Sequence, residues 1–132
     1  MADKLHFDLV SPERLLLSEN VDMVTVPGKE GDFGVLAGHS PMMTTLRPGV
    51  INVDEAGKPQ RRIFVRGGFA EVTPSGLTVL AEYTIPVEEL DQAKLDLEIG
   101  YAEEDVAGAK SDDARLVAQE KLDHLKQMRL VL

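Results

Sequence analysis

The residues of this chain that could carry chemistry are few, and the most suggestive are in a turn in the first half. His39 and Ser40 adjoin in a Gly-His-Ser-Pro run, so an imidazole stands beside a hydroxyl, the pair that acts as base and nucleophile in acyl transfer. Adjacent residues on a turn rarely aim at each other, and no orienting acid is evident. These points disfavour catalysis, but a small hydrolase built on His39 is kept as an alternative. It predicts that His39→Ala abolishes turnover.

Other motifs with a catalytic or metal-binding precedent lack their usual context. Asp32-Phe33-Gly34 spells the metal-binding triplet of protein kinases, but no Gly-rich loop and no His-Arg-Asp loop accompanies it. His6, His39 and His124 are too scattered for the spacing of metal ligands, and the chain has no cysteine. A phosphate-binding loop and a G-x-S-x-G elbow are both absent from the sequence. We therefore expect a non-enzymatic chain without a metal site.

Length and charge restrict the class of protein. The 132 residues suffice for one domain, or for one domain with an appendage. No apolar run approaches the roughly 18 residues of a membrane-spanning helix, and the first residues lack the pattern of a signal or transit peptide. The net charge of −9 argues against binding to nucleic acid or directly to an anionic membrane surface. Another protein would have to hold this chain near a membrane.

Residues 1–85 show the apolar alternation of half-buried strands. Residues 5–9 and 77–81 place apolar side chains at every second position, and turn signals such as Pro48-Gly49 recur between such runs. Many short strands at this spacing predict an antiparallel β-sandwich or barrel. Gly67 and Gly68 predict a bulge or a tight bend in one strand, with Phe69 and Val72 in the core.

Glycines and prolines are unusually dense from Pro27 to Gly38. Glycine reaches positive φ without a Cβ clash and proline fixes φ near −65°, so the backbone here must turn repeatedly. We expect a shaped loop that holds Phe33, Val35 and Leu36 as an apolar strip inside it. The same loop could also serve as the lid of a free-standing ligand-binding sandwich, which would need a concave apolar pocket.

From residue 86 to residue 132 the pattern becomes helical. Pro86 suits a first helical turn, Gly108 suits a helix end, and Ser111 suits the N-cap of a second helix. The sequence thus predicts an α+β fold, in which the sandwich is followed by a two-helix antiparallel hairpin. The apolar stripes expected at helical spacing are Leu90, Ala93, Leu97 and Tyr101 in the first helix, and Ala118, Leu122, Leu125 and either Met128 or Leu132 in the second.

Three motifs occur in the order known from one protein family. Residues 26–41 read VPGKEGDFGVLAGHSP and residues 44–49 read TTLRPG. Residues 64–72 read FVRGGFAEV, and residues 79–82 read VLAE just before the helical tail. On these motifs the whole chain resembles the epsilon subunit of F-type ATP synthases, the counterpart of the mitochondrial delta subunit.

The resemblance implies a non-catalytic central-stalk subunit that couples the proton-driven membrane c-ring and the gamma subunit to ATP synthesis elsewhere in the complex. It implies a peripheral position on the cytoplasmic side of a bacterial inner membrane. The residues implied to contact the membrane ring are Glu30, Gly31, Asp32 and His39, and those implied to contact gamma are Met42, Met43 and Thr44. The residues themselves leave simpler interpretations open, namely a solvated acidic loop tip, a turn histidine and a plain core or edge strand.

The resemblance also implies that the helical tail can regulate ATP hydrolysis, and that in some members it binds ATP through an [IL]-D-x-x-R-A motif. Asp91 matches that motif, whereas Lys94 replaces its arginine and Leu95 its alanine. Lysine lacks the planar fork of arginine, and leucine fills the space that adenine would need, so ATP as a regulatory ligand is disfavoured and we expect no cofactor.

Charge is uneven along the tail. Residues 85–113 hold two basic and ten acidic residues, a net of −8, whereas residues 114–132 hold four basic and two acidic residues, a net of +2. The second helix could therefore approach an acidic surface of the alpha and beta subunits. Alternatively, the opposite charges only help the two helices to pair. The basic residues concerned are Arg115, Lys121, Lys126 and Arg129.

Overall fold

The computed structural model describes residues 3–132, which form two compact units that divide between Pro86 and Val87. The first unit contains eight strands and the second contains one 3-10 turn, Val87–Glu89, and two helices. The strands are β1 (Leu5–Val10), β2 (Leu15–Val21), β3 (Met23–Gly28), β4 (Gly31–Val35), β5 (Met42–Thr45), β6 (Gly49–Asp54), β7 (Arg61–Thr73) and β8 (Gly76–Pro86). The helices are α1 (Gln92–Gly108) and α2 (Asp112–Arg129), which confirms the predicted α+β fold.

The strands of the first unit follow the order β2-β1-β8-β7-β6-β3-β4, and β5 pairs with β7 beside this path. All pairings are antiparallel except that of β1 with β8, which is parallel. The sequence predicted only antiparallel pairs, because alternation does not reveal the direction of a neighbouring strand. The inward side chains come from every described strand except β5 and form one apolar core. Its fully buried members include Phe7, Val24, Ile51, Leu77 and Val79.

Strand β7 bends at Gly67 and Gly68, where φ is +74° and +106°. The register between β7 and β8 is unbroken there, with Arg66 opposite Tyr83 and Gly68 opposite Ala81, so the two glycines make a bend and not a bulge. The bend changes which side of the strand faces the core. Val65 lies in the core before it, and Ala70 and Val72 lie in the core after it.

The prediction that Phe69 would be a core residue is wrong, because the change of face at the bend leaves its side chain only half-buried. The prediction for Val72 is confirmed. The expected loop with an inward apolar strip is also corrected, since residues 31–35 form strand β4 of a hairpin. Val35 is buried as expected, but Leu36 follows the strand and is 56% exposed.

Helix α1 begins six residues later than Pro86 suggested. Pro86 ends β8, and Asp91 is the N-cap of α1, where its side chain accepts a hydrogen bond from the Lys94 N–H at 3.1 Å. An extended N-cap residue with a carboxylate satisfies one of the orphan N–H groups of the first turn, and Pro86 has no such side chain. Gly108 ends α1 and Ser111 caps α2, as predicted.

The apolar stripe predicted for α1 is wrong in phase. The buried residues of this helix are Leu95 and Ala102, with Ile99 half-buried between them, whereas Leu97 and Tyr101 are 61% and 62% exposed. Helix α1 carries apolar residues at helical spacing on two faces, so periodicity alone cannot identify the buried one. In α2 the buried residues are Leu122, Leu125 and Met128, which confirms the stripe predicted there. The Arg129 Nε donates to Asp96 Oδ1 at 2.8 Å, so the end of α2 lies beside the start of α1, as in an antiparallel hairpin.

We predict that Gly68→Ala lowers the free energy of unfolding by about 3 kcal/mol. A Cβ at this position would lie 1.8 Å from the Leu80 carbonyl oxygen, and φ is +106°. Gly57→Ala is the matched control, since its φ is also positive but nothing lies within 4 Å of its Cβ, so we expect a loss of about 1 kcal/mol. Urea unfolding of the full chain measures both values. Equal losses would contradict the argument that the close approach of β8 requires glycine.

We also predict that stability falls with acid through two carboxylates. The pKa of Glu19 is lowered chiefly by its hydrogen bond with Arg61, and the pKa of Asp22 chiefly by its hydrogen bond with Lys4. Because a lowered pKa in the folded state means that the unfolded chain binds more protons, this stability is fully present above the unfolded-state pKa values of about 4 and is lost as pH falls below them, through the lower folded-state values. Urea midpoints between pH 7 and pH 3 should fall less steeply in Glu19→Gln than in Glu13→Gln, the control in the β1–β2 turn. An equal slope would contradict the assignment.

Candidate partner-binding site

The tip of the β3–β4 hairpin places three of the predicted ring-contact residues at the surface. Gly28 pairs with Gly31, so Lys29 and Glu30 form a two-residue turn, and Gly31 has a φ of +132° that suits glycine. Glu30, Gly31 and Asp32 are exposed. A Cβ on Gly28 would lie 2.8 Å from Phe33 Cε1, so the turn packs closely on that ring.

The hairpin tip is fastened to the segment around β5. The Lys29 N–H donates to the Thr45 carbonyl at 2.9 Å, and the Arg47 N–H donates to the Pro27 carbonyl at 3.0 Å. The Arg47 guanidinium also forms an ion pair with Asp32. These contacts hold the two segments in a fixed relation, with backbone bonds on both sides of the turn.

Arg47 is the residue of this site that sequence reasoning missed. The resemblance implies that Asp32 contacts the membrane ring, but in the structure its carboxylate already has a guanidinium beside it. The only signal in the sequence is the opposite charge of two residues that lie 15 positions apart, and no local spacing connects them. The long-range pairing of strands is what brings them together.

Strand β5 brings the residues predicted to contact gamma to the same surface. Met43 is 62% exposed and Met42 is 37% exposed, while Thr44 is half-buried. Together with the hairpin tip they border a shallow depression of about 440 Å³. The two contact groups that the sequence treated separately therefore lie on one surface. The residues that line it are Gly28, Lys29, Glu30, Gly31, Asp32, Phe33, Met42, Met43 and Thr44.

His39 lies in the turn after β4, next to this surface but outside the lining of the depression. Its Nδ1 is 2.7 Å from the Ser40 carbonyl oxygen, so this nitrogen donates the hydrogen bond. The ring centroid is 6.4 Å from that of Phe33. The imidazole thus contacts the backbone of Ser40 and not its hydroxyl, which agrees with a turn histidine and gives no support to a nucleophile.

The residues predicted for nucleotide binding take part in capping helix α1. Asp91 and Lys94 are close together because the Asp91 carboxylate caps α1 at the Lys94 N–H. Both side chains are on exposed residues. The capping bond uses one of the carboxylate oxygens that a ligand would need, so the geometry adds nothing in favour of ATP.

The basic residues predicted for regulation divide into two pairs. Arg129 bonds Asp96 of α1, and Arg115 bonds Asp112 at 3.2 Å within α2. The first of these bonds supports the interpretation that opposite charges join the helices. Lys121 and Lys126 are exposed. They are the residues of this set that remain available to a partner, because no ion pair is recorded for them in residues 3–132.

Residues 3–132 contain no group of three or more acidic or histidine side chains arranged to hold a metal ion. Within the same range, neither helix combines the length and the apolar composition needed to cross a membrane.

Comparison with known proteins gives a consistent result. Residues 4–87 match the family model described as the beta-sandwich domain of the ATP synthase Delta/Epsilon chain. The ATP synthase epsilon chain of Parvibaculum lavamentivorans is 66% identical over 129 residues, which cover 98% of each chain. That of Maricaulis maris is 57% identical and covers 87% of this chain and 86% of its own.

Solved structures give the same result. A chain in the Euglena gracilis mitochondrial ATP synthase OSCP/F1/c-ring structure is 25% identical, with a TM-score of 0.81 over 98% of this chain and 82% of that chain. A chain in the Tetrahymena thermophila mitochondrial ATP synthase central stalk and c-ring structure is 11% identical and has the same fold, with a TM-score of 0.60 over 96% and 95% of the two chains. The matched residues and the identity to curated epsilon chains along nearly the whole length establish that this chain belongs to the ATP synthase delta/epsilon chain family.

Proposed function

We propose that this chain is a non-catalytic central-stalk subunit that joins the membrane c-ring to the gamma subunit of a proton-driven ATP synthase. The single observation that carries the proposal is the surface on which the β3–β4 tip and strand β5 meet. The turn that carries Glu30 and two exposed methionines border one depression there. Membership of the family and likeness to a chain of an ATP synthase OSCP/F1/c-ring structure support a place in the rotor.

The chemistry of this surface suits two neighbours at once. Glu30 extends from a two-residue turn, where its carboxylate can meet a basic loop of the c-ring. Met42 and Met43 offer a soft apolar face that adapts to an irregular partner such as gamma. The bonds from Lys29 and Arg47 keep both parts in one arrangement before binding, so less conformational entropy is lost on assembly.

The location follows from the partners. With a net charge of −9 the chain is repelled by anionic lipid, so protein contacts must hold it at the membrane. We place it at the cytoplasmic face of the inner membrane as a peripheral subunit. His39 would contribute through Phe33, whose ring it contacts, at the edge of the same surface.

We predict that Met43→Asp weakens binding to the gamma subunit at least 10-fold, because a carboxylate replaces an apolar contact at the centre of the interface. Leu15→Asp is the matched control, since Leu15 is 57% exposed on β2, away from this surface. Co-purification of the full chain with gamma and with the c-ring measures both variants. Equal losses in the two variants would contradict the assignment of β5.

The same assay separates the two partners. Glu30→Lys should lower recovery of the c-ring and leave gamma in place, because it reverses the charge of the turn that faces the ring. Glu13→Lys makes the same change in the β1–β2 turn and serves as the control. Retention of the ring by Glu30→Lys would show that the turn does not contact it.

A second role is proposed for the helical unit, namely regulation of ATP hydrolysis through the alpha and beta subunits. The exposure of Lys121 and Lys126 on α2 favours it, since an exposed cation can approach an acidic surface. The Asp96–Arg129 bond would have to open if the hairpin extends.

We predict that removal of residues 87–132 raises the rate of ATP hydrolysis by the assembled complex while gamma and the c-ring remain bound. The physical reason is that the truncation removes the only proposed contact with alpha and beta. Lys121→Glu with Lys126→Glu in the full chain should act in the same direction, and Arg115→Gln, whose partner Asp112 lies in the same helix, should not. Hydrolysis that is indifferent to the truncation would reject a regulatory role.

A further inference from the structure

The solvent face of α1 is unusually apolar. Residues 93, 97, 100 and 101 lie on the side of the helix opposite the buried residues Leu95 and Ala102, as the period of 3.6 residues requires. On that side Leu97 is 61% exposed and Tyr101 is 62% exposed. Ala93 and Gly100 lie beside them, and a Cβ on Gly100 would meet nothing within 4 Å. A helix that is apolar on both sides usually has a neighbour on each.

The composition of this face suits the close approach of another helix. Leu97 and Tyr101 are four residues apart and form one ridge. Ala93 and Gly100 have small or no side chains, so they leave a groove next to the ridge into which the side chains of a second helix can fit. Gly100 weakens α1 by roughly 1 kcal/mol relative to alanine. No contact within the hairpin requires glycine here, because a Cβ at this position would meet nothing within 4 Å.

Charge decides which kind of helix fits. By the helical period, the charged residues next to the ridge are Glu104, Asp105 and Lys94, whereas Asp96 and Glu103 lie on another flank of the helix. The whole helix holds one basic and five acidic residues, a net charge of −4. A second copy that met this face with its own α1 would bring the same negative charges to the contact and be repelled. An anionic membrane surface would be repelled for the same reason.

We propose that the outer face of α1, centred on Leu97 and Tyr101, docks an amphipathic helix of a partner protein that carries lysine or arginine on both sides of its apolar stripe. The hairpin stays closed in this complex, because the docking residues lie opposite those that pack within it. This interface is separate from the sandwich surface and from the basic residues of α2, and it does not depend on the rotor role proposed above.

The test uses the full chain and a synthetic 18-residue helix of leucine, alanine and lysine, with the lysines placed on both sides of the leucine stripe. Fluorescence anisotropy of the labelled peptide measures binding. A scrambled peptide of the same composition, which has the charge but no apolar stripe, measures purely electrostatic attraction. We expect the patterned peptide to bind at least 10-fold more tightly than the scrambled one, and a peptide with glutamate for lysine not to bind.

Two double variants locate the contact. Leu97→Gln with Tyr101→Gln should weaken binding at least 10-fold, while Leu116→Gln with Val117→Gln should leave it unchanged. The second pair is the matched control, because Leu116 and Val117 are 59% and 67% exposed on α2 and none of these changes alters the charge. Circular dichroism of both variants should keep the helix content of the parent, since all four side chains are exposed.

Three results would overturn the proposal. One is equal binding of the patterned and scrambled peptides, and another is an equal loss in the two double variants. The third is self-association of the chain in sedimentation that disappears in Leu97→Gln with Tyr101→Gln, which would make a second copy the occupant of this face. Rotor assembly of the same variants is a separate measurement, so failure here leaves the sandwich assignment unaffected.

Discussion

The structure of the first unit depends on the bend of β7 at Gly67 and Gly68. Before the bend β7 pairs with β6, after it β7 pairs with β5, and β8 follows it along both halves. At Gly68 the backbone of β7 lies so close to β8 that a Cβ would be 1.8 Å from a carbonyl oxygen of β8. Only glycine fits at this position. The Leu46 N–H, just after β5, donates to the Gly68 carbonyl at 3.0 Å, so the bend also fixes the strand that carries the exposed methionines.

The partner-binding surface is a consequence of this arrangement. Strands β6 and β5 pair with successive parts of β7, before and after the bend. This pairing brings β5 beside the tip of the β3–β4 hairpin. Backbone bonds from Lys29 and Arg47 then join the two segments, and the ion pair with Asp32 adds to them. A rotor part transmits force through its contacts, so a rigid surface of this kind suits the role better than a mobile loop would.

The helical unit is organised differently, since each helix is capped locally and their pairing needs few residues. Asp91 and Ser111 satisfy the N-terminal N–H groups of α1 and α2. The buried faces contribute Leu95 and Ala102 from α1 and three residues from α2, a narrow stripe for helices of 17 and 18 residues. The other apolar face of α1, with Leu97 and Tyr101, takes no part in packing within the hairpin.

The sequence by itself determined the fold class, the alternation of strands such as β1 and β8, the end of α1 at Gly108, the N-cap at Ser111, and membership of the family, because these follow from local periods, turn residues and motif order. It also predicted residues of the candidate site, but not that the two predicted contact groups share one surface. Tertiary structure alone decided that Asp32 meets Arg47, that Phe69 turns away from the core, and that α1 buries Leu95 and not Leu97. The reason is the same in each case. A local pattern defines which faces of an element are apolar, whereas the choice between two such faces, or between two charged partners, is made by contacts with residues distant in the chain.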